Sequence, residues 1–338
     1  MNRFALTDLS VRIVGAPMAG GPSTPALAAA VANAGGLGFL AAGMLSAEQM
    51  ADAIATARML TTGPIGVNLF VSQARQGTAE QFRAFAAAMS LEAANYGVTL
   101  GKPCHADDLT AKLDVVCDLR PEVVSFTFGS PTERQCSLLA RTGVLTLATV
   151  TTVGEAELAL SCGVDAVVAQ GPQAGGHRAT FNPLAVPADV PLDDLVAALI
   201  AAFDCPVVAA GGIATAADVM RVRCVGATAA QIGTALLLAD EAGTDPVHRA
   251  ALRDPQFEKT VITRAFTGRY ARALRNRFVD EHEQHAISAF PEVAKMTAPI
   301  LAAAARAGDP HGTCLWAGTA YRHAKTGSAV DIVRELAA

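Results

Sequence analysis

The segment Gln170-Gly171-Pro172-Gln173-Ala174-Gly175-Gly176-His177-Arg178 concentrates the chain's most reactive pattern. It follows an apolar run, so it reads as a loop at the end of a strand. An imidazole placed there can accept a proton or donate a hydrogen bond near neutral pH. A histidine on its own is more often structural, and the preceding glycine pair favours the catalytic reading of His177 without excluding the structural one. Asn68 interrupts the apolar run Gly66-Val67-Asn68-Leu69-Phe70. A buried carboxamide is costly unless its amide finds partners, and these could be a ligand's ring edge or the protein itself. Gln170 is placed in the same way at the end of its own run.

Two further stretches suit an anion. Ala209-Ala210-Gly211-Gly212-Ile213 and Gln231-Ile232-Gly233-Thr234-Ala235 each end an apolar run in small residues and precede a helix-like segment. In a barrel, loops after the seventh and eighth strands often hold a phosphate on free N–H groups. The Thr234 hydroxyl adds a donor. Ordinary tight turns would look similar, but two such loops in succession are more telling than one. Ala16-Pro17-Met18-Ala19-Gly20-Gly21 is also free of bulk and would admit a flat ring system.

Other patterns carry less. Gly36-Leu37-Gly38-Phe39-Leu40-Ala41 runs along a strand, not from a strand into a helix, so it is not a dinucleotide fingerprint. Pro103 follows Gly101-Lys102 and blocks a phosphate loop from continuing into a helix. His282 and His285 have no third ligand nearby and read as solvent-facing; no metal site is expected.

The elements needed to position these residues are legible. Uniformly apolar runs at 12–18, 37–42, 64–70, 123–128, 145–150, 166–170, 206–210 and 230–233 predict eight strands covered on both faces. Helix-like stretches separate them, three opening on a capping threonine (Thr24, Thr152 and Thr215). The expectation is an α/β fold, a (β/α)8 TIM barrel with chemistry at the strands' C-terminal ends; a doubly wound open sheet is the alternative. Residues 71–101 and 238–289 exceed simple crossovers and are expected to form a smaller lid or substrate-covering domain. Residues 1–70, 102–237 and 290–338 would then make the barrel.

Composition narrows the function classes. The 338 residues are 51% hydrophobic and 5% aromatic, with a net charge of −5. The charge gives no general attraction for a polyanion, and few aromatics are available for base stacking. No nucleic-acid or membrane partner is expected: the most apolar stretch, 195–210, is broken by Asp204 and Pro206. Five arginines between Arg264 and Arg277 are followed by Asp280, Glu281 and Glu283, so they could bind a substrate carboxylate or merely pair with acidic neighbours. Seven dispersed cysteines without a C-x-x-C pair read as reduced thiols of a cytoplasmic protein. Oligomeric state is left open, with a homodimer as one expectation.

The runs PMAGGPSTPALAAAVANAGGLGFLAAG, GVNLF, QGPQAGGHRATF, AAGGIATAADV, AAQIGTALL and TRAFTGRYARALRNRF resemble, in order, those of class I nitronate monooxygenases, formerly called 2-nitropropane dioxygenases. The resemblance extends from Pro17 to about Phe278. It implies an FMN-containing barrel that oxidises alkyl nitronates such as propionate 3-nitronate with dioxygen. It also implies that Met18, Asn68, Gln170, Gly175, Gly212, Gln231, Ile232, Gly233 and Thr234 meet FMN and that His177 is the active-site histidine. The chain departs from the family pattern at Thr127, where histidine is frequent, and at Thr319, where glutamine is common; both places bear on substrate choice. The rival readings are an FMN-dependent enoyl-ACP reductase using NAD(P)H, which would more often carry glutamate at Gln170, and a flavin-binding protein without turnover.

Overall fold

The computed structural model describes residues 3–104 and 108–338. Its strands are β1 (Ile13–Gly15), β2 (Gly38–Ala41), β3 (Ile65–Phe70), β4 (Val123–Thr127), β5 (Leu145–Val150), β6 (Ala166–Gln170), β7 (Gly176–His177), β8 (Val207–Ala210), β9 (Ala229–Ile232), β10 (Thr260–Thr263) and β11 (Ala271–Leu274). Eight of them form one parallel sheet in the order β1-β9-β8-β6-β5-β4-β3-β2. A parallel bridge between Val14 and Leu37 joins its ends, so the sheet closes. All eight predicted strands are present, most trimmed by a residue or more at their ends.

The main helices are α1 (Pro25–Asn33), α2 (Ala47–Leu60), α3 (Ala79–Asn95), α4 (Leu109–Leu119), α5 (Glu133–Thr142), α6 (Val153–Ser161), α7 (Leu192–Ala202), α8 (Ala216–Val225), α9 (Pro246–Ala251), α10 (Arg277–His282), α11 (Glu292–Arg306) and α12 (Ala329–Ala337). Thr24, Thr152 and Thr215 each accept a hydrogen bond from an amide of the first turn, as the sequence predicts. One crossover helix follows each of the first seven barrel strands: α1, α2, α4, α5, α6, α7 and α8. The C-terminal α12 packs between α1 and α8 and completes the ring. This is a (β/α)8 TIM barrel.

Two concentric cores result from strands that are apolar on both faces. Inward residues such as Val14, Phe39, Val123, Leu147, Val168 and Val208 fill the barrel. Outward ones such as Ile13, Val167, Val207 and Ile232 meet the helices. Gly66 has a packing reason: a Cβ there would lie 2.5 Å from the Phe39 ring.

A second cluster lies beyond the strand ends. Phe82, Phe85 and Met89 of α3 pack with Phe266, Phe278, Val293, Met296 and Ile300. The helix α11, within the 290–338 stretch, thus buries its apolar face against α3, not against the barrel. Strands β10, β11 and β7 form a small antiparallel sheet, with His177 opposite Ala271 and Gly176 opposite Arg272. The loop carrying the histidine is therefore stitched into this second layer.

One expectation fails. His282 is buried, edge-on to Phe278 with ring centroids 4.6 Å apart, and its Nε2 lies 3.6 Å from Glu92. Its i,i+4 spacing from Phe278 turns it inward; His285 remains exposed. Glu92, Glu281 and His282 do come together. The space between the two carboxylates is taken by Arg277, which binds Glu92 at 2.7 and 3.0 Å and Glu281 at 2.7 Å. Burial pulls the Glu92 carboxyl upward, but the Arg277 hydrogen bonds and charge, with His282, outweigh it and hold it below its usual range.

Candidate active site

The C-terminal ends of the barrel strands open into a cavity of about 470 Å³ beneath α11. Met18, Asn68, Gln170, Gly175, His177, Gly212, Gln231, Gly233 and Thr234 all line it. The structure thus brings together nine of the ten residues singled out from sequence. Ile232 is the exception: its side chain is buried in the outer core.

Each polar group has a definite task. The Asn68 Nδ2 donates to Ser125 Oγ and Thr127 Oγ1, both at 2.9 Å, which removes the cost of burying its amide on β3. Thr127, the departure noted on β4, is thereby one of the groups that orient Asn68. Gln170 spans its own loop: Nε2 donates to the His177 carbonyl at 3.0 Å, and Oε1 accepts from Ala179 N at 2.9 Å. Its amide holds the backbone on both sides of the histidine.

The two glycine loops meet at one end of the cavity. Among the described residues, no protein acceptor takes the backbone N–H of Gly212, Ile213, Gly233 or Thr234. Gly211 and Gly212 sit at φ +118° and +71°, which L side chains rarely adopt, and a Cβ on Gly212 would lie 3.0 Å from Gln173 Cβ. The expected second helix is only the single 3-10 turn Thr234–Leu236. The N-terminus of α8 is not free either, because Asp218 accepts from Ala214 N and Thr215 N. Orphan amides of the loops, not helix ends, make this an anion cradle. Thr234 Oγ1 accepts from Gly318 N at 2.9 Å, which leaves its own proton to donate.

His177 lines the same cavity. Its Nε2 lies 2.9 Å from Thr267 Oγ1. Phe290, Trp316 and Phe128 surround the ring at centroid distances of 5.2, 5.4 and 5.7 Å. Burial among these rings, and secondarily the charge of Arg269, push its pKa down to about 3. The imidazole is neutral at physiological pH and so available as a base.

Sequence reasoning missed several wall residues. Phe128 adopts φ +75°, a sparsely populated conformation for a bulky residue. Gln73 Nε2 donates to its carbonyl at 2.6 Å, and its ring packs tilted against Phe70 with centroids 4.6 Å apart. His248 also lines the cavity, bonded to the Trp316 backbone, with burial pushing it down to about 4. Phe128 closes a recognised strand and could have been suspected; nothing local marks His248.

The arginine-rich segment resolves without a substrate. Arg269 donates to the carbonyls of Arg178 and Thr180 and to Gln73 Oε1. Arg272 donates to the Pro172 carbonyl at 2.9 Å. Arg178 is buried and donates to Gly171 and Ala188 carbonyls. These three guanidinium groups hold the 171–180 backbone from behind, while Arg275 and Arg277 pair with the acidic residues that follow.

Comparison with known proteins agrees with this geometry. A family model described as nitronate monooxygenase matches residues 3–338. The chain belongs to the nitronate monooxygenase family. It is 35% identical over 353 aligned residues to a probable nitronate monooxygenase of Staphylococcus aureus strain MSSA476, spanning 99% of this chain and 96% of that one. Among solved structures it is similar to a nitroalkane oxidase from Streptomyces ansochromogenes, with TM-score 0.93, 46% identity, and coverage of 98% and 96%. FabK from Thermotoga maritima superposes with TM-score 0.75 at 25% identity, covering 98% of this chain and 94% of its own. The family member described here is accordingly an enzyme, an oxidoreductase. No helix among its described residues is long and apolar enough to cross a membrane.

Proposed function

We propose that the enzyme binds FMN in this cavity and oxidises small alkyl nitronates, propionate 3-nitronate among them, with dioxygen. The observation that carries the reading is that an orphan-amide cradle and a buried neutral histidine line one and the same cavity. The residues fit the cofactor. The N–H groups of Gly212, Ile213, Gly233 and Thr234 would hold its phosphate, as backbone amides do for anions generally. Met18, Asn68, Gln231 and Gly175 line the same cavity and would meet the flat ring. FMN, when bound, supplies the electron chemistry linking substrate oxidation to dioxygen.

The protein's own part is position and proton management. Thr267 fixes one ring nitrogen of His177, and Gln170 anchors that residue's backbone. The other nitrogen, Nδ1, has no partner among the described residues and stays accessible. It can take the proton from the carbon next to a nitro group. Phe128, Phe290 and Trp316 exclude water around that transfer. Residues around α3, α10, α11 and the small sheet act as the substrate-covering layer, a grouping that extends the lid past residue 290.

Oxygen uptake with propionate 3-nitronate, together with identification of the chromophore released on denaturation, tests the reading. FMN and nitronate-dependent uptake are expected; a protein that binds only FAD, or consumes NAD(P)H but no nitronate, overturns it. Gly212→Ala forces a side chain into a left-handed position beside Gln173, so flavin affinity is expected to fall about tenfold. Unchanged flavin retention through dialysis would contradict the cradle assignment.

A further inference from the structure

Among the described residues the cavity wall contains no arginine or lysine, and its one carboxylate, Asp245, is exposed at the rim. A positive charge nevertheless lies just behind it. Arg269 is 1% exposed, and its guanidinium rests on the Phe128 ring, 3.9 Å from the centroid. Phe128 is in turn edge-on to His177. All hydrogen-bond acceptors of Arg269 are neutral: the carbonyls of Arg178 and Thr180, Gln73 Oε1 and Thr180 Oγ1. Glu155 acts on it only at longer range, its carboxylate being bound to Thr151 and to Phe181 N. A buried cation without a carboxylate at hand is costly and projects its field through the low-dielectric wall.

We propose that Arg269 is a positioning residue that, from behind Phe128, gives the cavity a positive field and makes it select anionic over neutral ligands. The substrate class that follows is the preformed nitronate anion in preference to the neutral nitroalkane, and in that respect the proposal rests on the reading above. Two features of the geometry support it. Thr267, the partner of His177 Nε2, is also joined to the Arg269 backbone, with its Oγ1 3.3 Å from the Arg269 carbonyl oxygen. Shifting Arg269 therefore disturbs the histidine's tautomer as well as its charge. The Phe128 backbone, in its unfavourable conformation, is held by Gln73, the same side chain that accepts from Arg269. Gln73, Phe128, Arg269 and Thr267 thus form one connected unit around the imidazole.

The other titratable groups near the ring do not substitute for this charge. Arg178 is next in the chain but directs its guanidinium to Gly171 and Ala188 carbonyls. Arg272 is turned to Pro172 and Thr260. Beyond Trp316, burial keeps Cys314 protonated and His248 neutral. Arg269 is the one charged group that acts appreciably on His177.

The test uses the flavin-loaded protein and needs no turnover. Nitrogen-15 histidine NMR, with His177→Gln to assign the signal, follows protonation of His177 between pH 4 and 8, so that a transition raised by one unit enters the window at its acid end. Calorimetry measures binding of nitrate, a planar monoanion, against urea, a planar neutral molecule. In the unaltered protein no His177 transition is expected in that range, and nitrate binds while urea does not. Arg269→Met is expected to move the transition upward by about one pH unit or more and to weaken nitrate about tenfold. Arg269→Lys should retain most of both properties. A parent protein whose His177 titrates near 6.5, or which binds urea as well as nitrate, overturns the proposal even if the methionine variant does not fold. Equal nitrate affinity in a folded Arg269→Met protein overturns it too. Because nitrate binding and protonation are read without substrate, loss of the nitronate assignment would appear separately, as absent oxygen uptake with these signals intact.

Discussion

The His177→Ala variant keeps its fold and its flavin while its kcat/KM for neutral nitroalkanes falls by roughly 10²–10³-fold. Retention of structure follows from how the residue is held. Its backbone is fixed by Gln170 Nε2 and by pairing with Ala271, neither of which involves the imidazole. Loss of rate follows from the cavity's composition, since among the described residues Asp245 at the rim and the buried His248 are the only other titratable oxygen or nitrogen groups in its wall. Preformed nitronates need no proton removed, so their kcat/KM should fall by less than about tenfold. Steady-state rates on a nitroalkane and on its nitronate, measured side by side, separate the two effects. Parent-like turnover of the neutral form would show that His177 is not the base.

Acid sensitivity is the second large effect. His177 and His248 have folded pKa values of about 3 and about 4, below the unfolded value of 6.5. The unfolded chain therefore binds two protons that the folded chain refuses. The stability these residues lend is complete above pH 6.5 and is lost as pH falls toward 4 and then 3. Between pH 7 and 5 the two sites should together remove up to about 4 kcal/mol, measured by denaturant unfolding at each pH. Glu92, held below the ordinary carboxylate range, adds a separate loss at still lower pH as it protonates and releases Arg277. Replacing His177 and His248 together by asparagine should flatten the pH 7 to 5 dependence. A slope unchanged in that double variant would show that neither ring is excluded from protonation in the fold.

What the sequence disclosed and what it hid follow the range of the forces involved. Strands buried on both faces leave uninterrupted apolar runs, and capping threonines leave a local mark, so the barrel and its helix starts were readable. The cavity residues were readable because each puts a polar amide into such a run, within it or at its end: Asn68 on β3, Gln170 on β6, Gln231 on β9. Hidden were the partners, which lie far away in the chain. Gln170 spends its amide on its own loop, and Arg269 reaches back to Thr180 across 89 positions. His248 enters the wall only because Trp316, in a bridge with Ala273, brings its carbonyl there. The inward turn of His282 depends on Glu92 and Phe278, so the reading of His282 as solvent-facing failed where that of His285 held. The apolar face of α11 is legible, but nothing in it says that α3, about 200 residues earlier, will cover it.

The central claim is that one cavity joins a flavin cradle to a site for nitronates. It is tested most directly by the visible absorption spectrum of the purified protein, recorded anaerobically before and after adding propionate 3-nitronate. The account predicts an oxidised flavin spectrum that changes on mixing and returns when air is admitted. A flavin spectrum indifferent to the nitronate but bleached by NADH or NADPH would contradict it and favour the enoyl reductase reading.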